Sequence, residues 1–244
     1  MKLISKLNSW REGRAERAKY CTKSRLPFFE LAGRFLPDNS EAIVLDIGPG
    51  DATFARHLML ALKYRNLYLL DANAETVDVL RRDFPNTLVY RAPERLPFEN
   101  ETVSYIHCSH LIEHLGHEAL YAFLVDIDRV LSGVGIVAIS GPMMTDRFYY
   151  NLSHVKPYPP EVLMRYLCDV STTQPSASSI SRAYHVQALV YQYSRRPVGD
   201  GVGGESIVVD FLVKAGLRCL ALVGICRYDR CGYTLVLRKH SGRS

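Results

Sequence analysis

The chain has 244 residues, of which 48% are hydrophobic and 23% charged, and its formal net charge is +5. This is the composition of a globular protein with enough apolar residues for a sizeable core, and it excludes the disordered, collagen-like and coiled-coil classes. No apolar run reaches the roughly 18 to 20 residues that a membrane-spanning helix needs.

The positive charge is concentrated at the N-terminus. Residues 1–25 hold eight Lys or Arg and two Glu, so this segment carries +6 and the rest of the chain carries −1. Leu3, Ile4, Leu7 and Trp10 share one helical face opposite these charges, as in helices that lie on a membrane surface. Peripheral membrane contact through residues 1–25 is therefore one hypothesis, and a solvated helix face is the other.

The sequence also predicts a compartment. The first residues lack the continuous apolar stretch and the small-residue cleavage site of a signal peptide. The six cysteines are scattered without a CxxC pair, which is typical of reduced thiols, and no metal-ligand set is evident. We therefore expect a cytoplasmic protein, either free or at the inner membrane face.

Hydrophobic patterning predicts two N-terminal helices, over 2–20 and 26–36, followed by alternating strands and helices. The strands are expected at 42–48, 66–71, 87–92, 102–108 and 134–140, with helices at 54–62, 75–84 and 118–131 between them. This alternation predicts a parallel sheet with right-handed crossovers. The later elements are a helix at 160–168, a strand at 186–193, a helix at 205–215, and a hairpin of strands 219–225 and 233–238 around a turn at 228–232.

Two domains follow from these elements. Residues 1–38 are predicted to form an N-terminal helical arm, and residues 39–244 one α/β domain. Within it, residues 141–204 are more than a minimal nucleotide-binding sheet needs. Because ligands bind beyond the carboxyl ends of parallel strands, we expect this segment to be a lid or insertion on the substrate side.

The first predicted strand ends in an Asp-x-Gly-x-Gly pattern over residues 46–50 and leads into a helix. Glycine lets the backbone approach a ligand closely, and the start of a helix offers free N–H groups, so this loop predicts a cofactor site. A dinucleotide loop would carry a third glycine where Thr53 stands, which argues against a nicotinamide cofactor. Asp71, at the end of the second strand, can accept hydrogen bonds from both hydroxyls of a ribose or cap the helix that follows.

Five segments in this order make the chain resemble the class I S-adenosylmethionine-dependent methyltransferases of the small-molecule and glycan type. They are VLDIGPGDA, LYLLDAN, RAPERLPF, VSYIHCSHLIEHL and RVLSGVGIVAIS, between residues 40 and 140. The resemblance implies a Rossmann-like, seven-stranded, mostly parallel sheet in the order 3-2-1-4-5-7-6. It also implies that the last strand is antiparallel, that helices precede the sheet and that an insertion follows strand 5. The implied cofactor is S-adenosyl-L-methionine.

Carried onto this sequence, the resemblance implies specific cofactor contacts. Gly48 and Gly50 would pass under the methionine part of the cofactor, with Asp46 ordering their loop. Asp71 would hold the ribose. The further implied contacts are Ala72 and Asn73 on the adenosine, Ala92 and Pro93 near the adenine, and Ser109 and His110 beside the sulfonium.

The sequence departs from the family pattern at two positions where an acid is usual, Ala92 and Ser104. These departures keep open a second function, a catalytically silent binding or scaffold protein that retains the fold. An NAD-dependent oxidoreductase is a third hypothesis, against which Thr53 argues.

Methyl transfer to a neutral hydroxyl needs a base, and histidine is suited to this role near neutral pH. The candidates are His110, His114 and His154, with Glu113 as a residue that orients one of them. His114 has a structural alternative, a ring bonded to backbone at a helix start. His107 lies inside a predicted strand, and we expect it to be buried structure.

The acceptor is predicted from the loop after strand 5. Its aromatic residues, Phe148, Tyr149, Tyr150 and Tyr158, can stack on sugars or instead cover the edge of the core. The pattern HVKPYPPEVL resembles methyltransferases of cell-surface glycans and secondary metabolites. We therefore expect O-methylation of a small molecule or of a glycan or lipid-linked sugar.

Nucleic acid is not an expected partner. The Asp/Asn-Pro-Pro-Tyr/Phe turn of base amino-methylating enzymes is absent after the fourth predicted strand, where Cys108 is followed by Ser109 and His110. Cys108 also lacks the neighbouring proline of cytosine C5 enzymes. The body of the chain is near neutral, whereas a nucleic-acid enzyme is expected to be basic. The sequence leaves the oligomeric state open.

Overall fold

The computed structural model describes residues 15, 17–168, 179–197, 211, 213, 215–216 and 226–240. Contacts divide the chain into two compact units, residues 25–190 with 232–244 and residues 1–24 with 191–231. The predicted apolar face of residues 3–10, the strand at 219–225 and most of the helix at 205–215 lie outside the described residues. Membrane contact through residues 1–25 therefore stays a prediction.

Helices and strands alternate through the described part of the chain. Its α-helices are α1 (Leu26–Gly33), α2 (Thr53–His57), α3 (Leu60–Lys63), α4 (Ala74–Leu80), α5 (His117–Val130) and α6 (Pro160–Leu167). Its strands are β1 (Ile43–Ile47), β2 (Leu67–Asp71), β3 (Thr87–Val89), β4 (Val103–Ser109), β5 (Leu131–Pro142), β6 (Tyr184–Pro197) and β7 (Cys226–Lys239). Two single-turn 3-10 helices are Ile112–His114 and Phe148–Tyr150. None of the described helices is long and apolar enough to cross a bilayer.

The strands form one seven-stranded sheet in the order β3-β2-β1-β4-β5-β7-β6. β1 pairs in parallel with β2 and β4, β2 with β3, and β4 with β5. β7 pairs antiparallel with β5, with Gly232 opposite Pro142 at one end and Arg238 opposite Ile136 at the other. The predicted fold class and strand order are confirmed. Successive strands are added on one side of β1 and then on the other side, starting with β4. A crevice opens between β1 and β4, beyond the carboxyl ends of the strands.

The central strands are buried on both faces, which explains why they are mostly apolar in the sequence. Val44 and Leu45 of β1 and Tyr105 and Ile106 of β4 are fully buried. Helices on the two faces of a parallel sheet cover such strands, so side chains at successive positions all enter a core. The sheet therefore holds the ends of β1, β2 and β4 in fixed positions.

Helix α1 belongs to the core of the larger unit. Its Phe29 meets Phe54 edge-on with ring centroids 5.5 Å apart, and the Tyr105 hydroxyl donates to the carbonyl of Ala32 at 2.9 Å. Pro27 lies in its first turn, where the missing N–H costs no helical hydrogen bond. Helix α1 thus packs within the larger unit, and the division into residues 1–38 and 39–244 stays a prediction.

Several elements differ from their predicted extents, and two of these differences change the path of the chain. The helix expected over 54–62 is divided into α2 and α3, because Met59 has a φ of +52° and interrupts the helical hydrogen bonds. β3 ends at Val89, and residues 90–92, expected to be strand, form part of a cavity wall.

The predicted hairpin turn at 228–232 is wrong. These residues lie inside β7, and the neighbour of β7 in the sheet is β6. The Asp229 carboxylate accepts from Arg227 Nε at 2.6 Å and lies 3.5 Å from Arg196 Nε. Polar strand residues that pair in this way have the composition of a turn, which is why the sequence misleads here.

In the smaller unit, the segment before α1 bonds to β6. The Tyr193 N–H donates to the carbonyl of Tyr20 at 3.0 Å, and the Gln192 amide donates to the carbonyl of Thr22 at 2.8 Å. The Arg230 guanidinium lies 3.8 Å from the centroid of the Tyr191 ring. The cysteines within the described residues are free thiols.

Candidate active site

The loop after β1 is shaped by its two glycines. Gly48 and Gly50 have φ angles of +71° and +57°, which side-chain-bearing residues rarely adopt. A Cβ at Gly48 would come within 3.2 Å of Leu111 Cδ1, whereas a Cβ at Gly50 would meet no atom within 4 Å. Leu111 therefore packs over Gly48, and the backbone at Gly50 is open to a ligand.

Asp71 ends β2 at the same edge of the sheet. Its Oδ1 accepts from the Asn73 N–H at 2.9 Å, and the Asn73 side chain accepts from the Glu75 N–H at 2.9 Å. Asn73 is therefore the cap of α4, and the half-buried Asp71 carboxylate holds the turn that leads into it. This arrangement leaves Asp71 beside the crevice rather than on the helix.

A cavity of about 440 Å³ occupies the crevice. This volume lies in the range of roughly 300 to 1,000 Å³ that small-molecule sites have. Its lining residues are Ile47, Gly48, Gly50, Leu70, Asp71, Ala72, Tyr90, Arg91, Ala92, His110, Leu111, His114 and Leu115.

The cavity brings together many of the residues singled out from the sequence. Those that line it are Gly48, Gly50, Asp71, Ala72, Ala92, His110 and His114. Those that do not line it are Asp46, Asn73, Pro93, Ser109 and His154. Their roles toward a cofactor stay predictions.

The sequence predicts that Asp46 orders the glycine loop, but its side chain bonds elsewhere. Its Oδ1 lies 2.7 Å from His107 Nδ1, and both side chains are almost fully buried. The His107 ring stacks on Phe54 with centroids 3.6 Å apart and an interplanar angle of 15°. The reason is the sheet register, because Asp46 and His107 are directly opposite on β1 and β4. Asp46 therefore joins two strands beneath the loop.

Sequence reasoning missed part of the cavity wall. The missed residues are Ile47, Leu70, Tyr90, Arg91, Leu111 and Leu115. Ile47 and Leu70 sit at the ends of strands already predicted, so strand ends alone would have indicated them. Leu111 and Leu115 follow β4 in a turn whose path the sequence does not specify.

The segment after β4 places a histidine and a carboxylate in contact. His110 Nδ1 lies 3.0 Å from Glu113 Oε1, and the Glu113 side chain is only 1% exposed. A carboxylate oxygen accepts hydrogen bonds and does not donate them, so His110 Nδ1 carries a proton, and in the neutral ring Nε2 keeps its lone pair. His110 is therefore oriented as a proton acceptor at the cavity.

Two further histidines lie near Glu113. His114 Nδ1 is 3.0 Å from the carbonyl of Ser153, so the structural alternative predicted for this ring is present. His154 Nδ1 is 2.7 Å from the carbonyl of Phe148, and the two imidazole centroids are 5.1 Å apart. These residues are 40 positions apart in sequence, and no local pattern indicates that they meet.

Cys108 is not positioned as a nucleophile. It is fully buried in β4, and burial is the main cause that raises its pKa well above the usual value, with the nearby Glu113 adding to the effect. The thiol therefore stays protonated, which agrees with the exclusion of cytosine C5 chemistry.

The cavity fits S-adenosylmethionine in kind. Asp71 would supply a carboxylate for a ribose diol, and the open backbone at Gly50 would allow close approach. Apolar walls from Leu111 and Leu115 suit the flat face of a nucleobase or a thioether chain.

Comparison with known proteins agrees with this geometry. Residues 45–139 match a family model described as Methyltransferase domain. Residues 45–139 form a class I methyltransferase domain. The matched region runs from β1 to β5 and includes the glycine loop, Asp71 and the segment after β4. The resemblance to class I methyltransferases is confirmed, with S-adenosylmethionine as the cofactor, whereas the small-molecule and glycan type stays a prediction.

One curated relative matches part of the chain. Probable methyltransferase PMT19 from Arabidopsis thaliana is 32% identical over 118 residues, which are 46% of this chain and 18% of that protein. The chain thus spans about a fifth of the length of this curated relative.

Solved structures share the fold of the methyltransferase domain. A SAM-dependent methyltransferase from Archaeoglobus fulgidus matches with a TM-score of 0.57 and 18% identity, covering 88% of this chain and 95% of that one. A geranyl diphosphate methyltransferase in complex with SAM matches with a TM-score of 0.54 and 12% identity, covering 88% and 84%. At these identities the likeness establishes the fold and leaves the acceptor open.

Proposed function

We propose that the chain is an S-adenosylmethionine-dependent methyltransferase that methylates a hydroxyl group of a small molecule or sugar. The observation that carries this proposal is the His110–Glu113 pair at the wall of the cavity that Gly50 and Asp71 also line. The methyl group of S-adenosylmethionine is already activated by its positively charged sulfur. The protein then has to position the acceptor and remove one proton.

His110 is the residue that takes this proton. Glu113 holds the Nδ1–H, so the acceptor hydroxyl donates to Nε2 and its proton moves there as the oxygen gains the methyl group. The resulting imidazolium is stabilised by the buried Glu113 carboxylate, as in other histidine–carboxylate pairs. Amine or thiol acceptors depend less on such a base, so the pair favours a hydroxyl acceptor.

A sugar is supported by the loop after β5. Tyr149 and Tyr150 are 56% and 80% exposed, and exposed aromatic rings stack well on sugar faces. Phe148 and Tyr158 are buried, and the Tyr158 hydroxyl donates to the carbonyl of Leu115 at 3.0 Å. The two buried rings cover the core edge, and the two exposed rings are the ones available to an acceptor.

The proposal is tested with methyl-labelled S-adenosylmethionine and three sets of acceptors, which carry hydroxyl, amine or thiol groups. The hydroxyl set includes aryl glycosides and lipid-linked sugars. We expect labelled product from the hydroxyl set and a free sugar hydroxyl as the methylated position. Transfer to amines or thiols alone would contradict the O-methyl proposal. Cofactor binding without transfer in any set would favour the silent binding protein.

We expect the Asp71→Ala variant to bind S-adenosylhomocysteine about 10- to 100-fold more weakly than the parent chain. Hydrogen bonds to a charged group contribute about 1.5 to 3 kcal/mol, and the variant loses those made to the ribose. The measurement is calorimetric titration. Asp78→Ala is the matched control, because Asp78 is an exposed α4 residue paired with Arg81. Equal affinities of the two variants would show that Asp71 does not hold the ribose.

A further inference from the structure

A cluster of one carboxylate and two imidazoles lies beside the cavity. Glu113, His114 and His154 each offer one ligand atom, and these atoms lie within 4.8 Å of one another. Ligand atoms around a tetrahedral ion with bonds of about 2.1 Å are roughly 3.4 Å apart, so shifts of about 1 Å in these side chains bring all three onto one ion. His114 also lines the cavity, which places the cluster at its wall.

The two histidines have the tautomer that metal ligation needs. Each Nδ1 faces a backbone carbonyl, that of Ser153 for His114 and that of Phe148 for His154. A carbonyl accepts only, so each Nδ1 carries a proton, and in the neutral rings each Nε2 keeps the lone pair that can bind an ion. Histidines that bind metals show this second hydrogen bond almost without exception, because it fixes the ring and its tautomer.

Glu113 adds an independent observation. Its side chain is 1% exposed, and one oxygen is bonded to His110 while Oε2 has no hydrogen-bond partner among the described residues. A buried carboxylate oxygen without a partner is costly, and such groups need an explanation. Packing of aromatic rings explains the positions of His114 and His154, but it gives Glu113 Oε2 no partner. A cation bound by the cluster gives this oxygen a partner.

The backbone holds the cluster together. The carbonyl of Glu113 accepts from the N–H groups of Val155 at 2.8 Å and Lys156 at 3.3 Å, and the His154 N–H donates to Asn151 at 3.1 Å. The loop that carries His154 is thus bonded directly to the 3-10 helix that carries the other two residues. A preorganised ligand set of this kind binds an ion without a large ordering cost.

We propose that Glu113, His114 and His154 bind one divalent first-row transition-metal ion, with zinc as the best fit. Two imidazole nitrogens and one carboxylate are a known three-ligand set for zinc with an open position. Magnesium and calcium prefer sets made of oxygen alone. The assignment of the ion itself does not depend on methyl transfer. A second part of the proposal rests on the proposed function: the open coordination position of the ion holds the acceptor hydroxyl beside His110.

The test uses the full chain without a polyhistidine tag, stripped of metal by a chelator, with no cofactor or acceptor present. It is titrated with Zn²⁺ by calorimetry and with Co²⁺ by visible absorption. We expect one tight site per chain and cobalt bands of a site with nitrogen and oxygen ligands. The His154→Ala variant should bind at least about tenfold more weakly, since even an outer-shell partner of a ligand is worth 10- to 100-fold.

The matched control is His117→Ala, which removes an exposed histidine of α5 outside the cluster. Equal binding by the two variants, or no binding by the parent chain, would overturn the metal site. A measurement that needs no variant is the melting temperature of the parent chain. It should rise with Zn²⁺ and stay unchanged with Mg²⁺, and a rise with neither ion would also overturn the proposal. Failure of methyl transfer would change none of these outcomes.

Discussion

The His110→Asn variant is expected to transfer methyl groups about 10²- to 10⁴-fold more slowly than the parent chain, with kcat carrying most of the loss. The proton acceptor at Nε2 is removed, and the Glu113 carboxylate loses the ring that it orients at 3.0 Å. Asparagine is chosen because His110 has a φ of +57°, a conformation that asparagine tolerates better than most residues. The backbone of the turn should therefore be retained.

The measurement is steady-state kinetics with the best acceptor from the hydroxyl set. His117→Ala serves again as a control and should retain the parent rate. Affinity for S-adenosylhomocysteine should change by less than about tenfold in His110→Asn, since a single wall contact is lost. A variant with the parent kcat would refute the role of His110 as base. A rise in KM alone would assign His110 to binding.

The second large effect concerns stability. Removing His107 in a His107→Ala variant is expected to lower the free energy of unfolding by about 3 to 5 kcal/mol, because it leaves the buried Asp46 carboxylate without its partner. The stacking of the ring on Phe54 and its edge contact with Phe29 at 5.6 Å are lost as well. Denaturant unfolding of parent and variant measures the difference.

Two further variants separate the pair from the ring packing. The double variant Asp46→Ala/His107→Ala should lose less free energy of unfolding than the two single variants lose together, since it buries no unpaired charge. Asp83→Ala removes one partner of the exposed Arg56–Asp83 ion pair and should cost less than about 1 kcal/mol. If His107→Ala costs no more than Asp83→Ala, the buried pair is not a major source of stability.

Most of the fold could be predicted from the sequence because the signal is local. The central parallel strands are buried on both faces, so β1 is apolar at every position except Asp46. Glycine at positions 48 and 50 and an acid at 71 lie at strand ends, where the topology brings them to one edge. This is why Gly48, Gly50 and Asp71 could be placed at the crevice from the sequence, without any knowledge of tertiary contacts.

The remainder depends on contacts between distant segments. Asp46 faces His107 through strand register, and His154 meets Glu113 because a loop after β5 folds back on the turn after β4. Neither relation leaves a periodic or short-range pattern in the sequence. The failed turn at 228–232 has the converse cause, since charged residues paired within a strand have the composition of a turn.

Calorimetric titration of the parent chain tests whether the crevice beyond β1, β2 and β4 is a methyltransferase cofactor site. S-adenosylmethionine and S-adenosylhomocysteine are titrated separately, with NAD as the comparison ligand. We expect saturable binding of one equivalent of each of the first two and no binding of NAD. Binding of NAD without binding of S-adenosylhomocysteine would contradict it and favour an oxidoreductase.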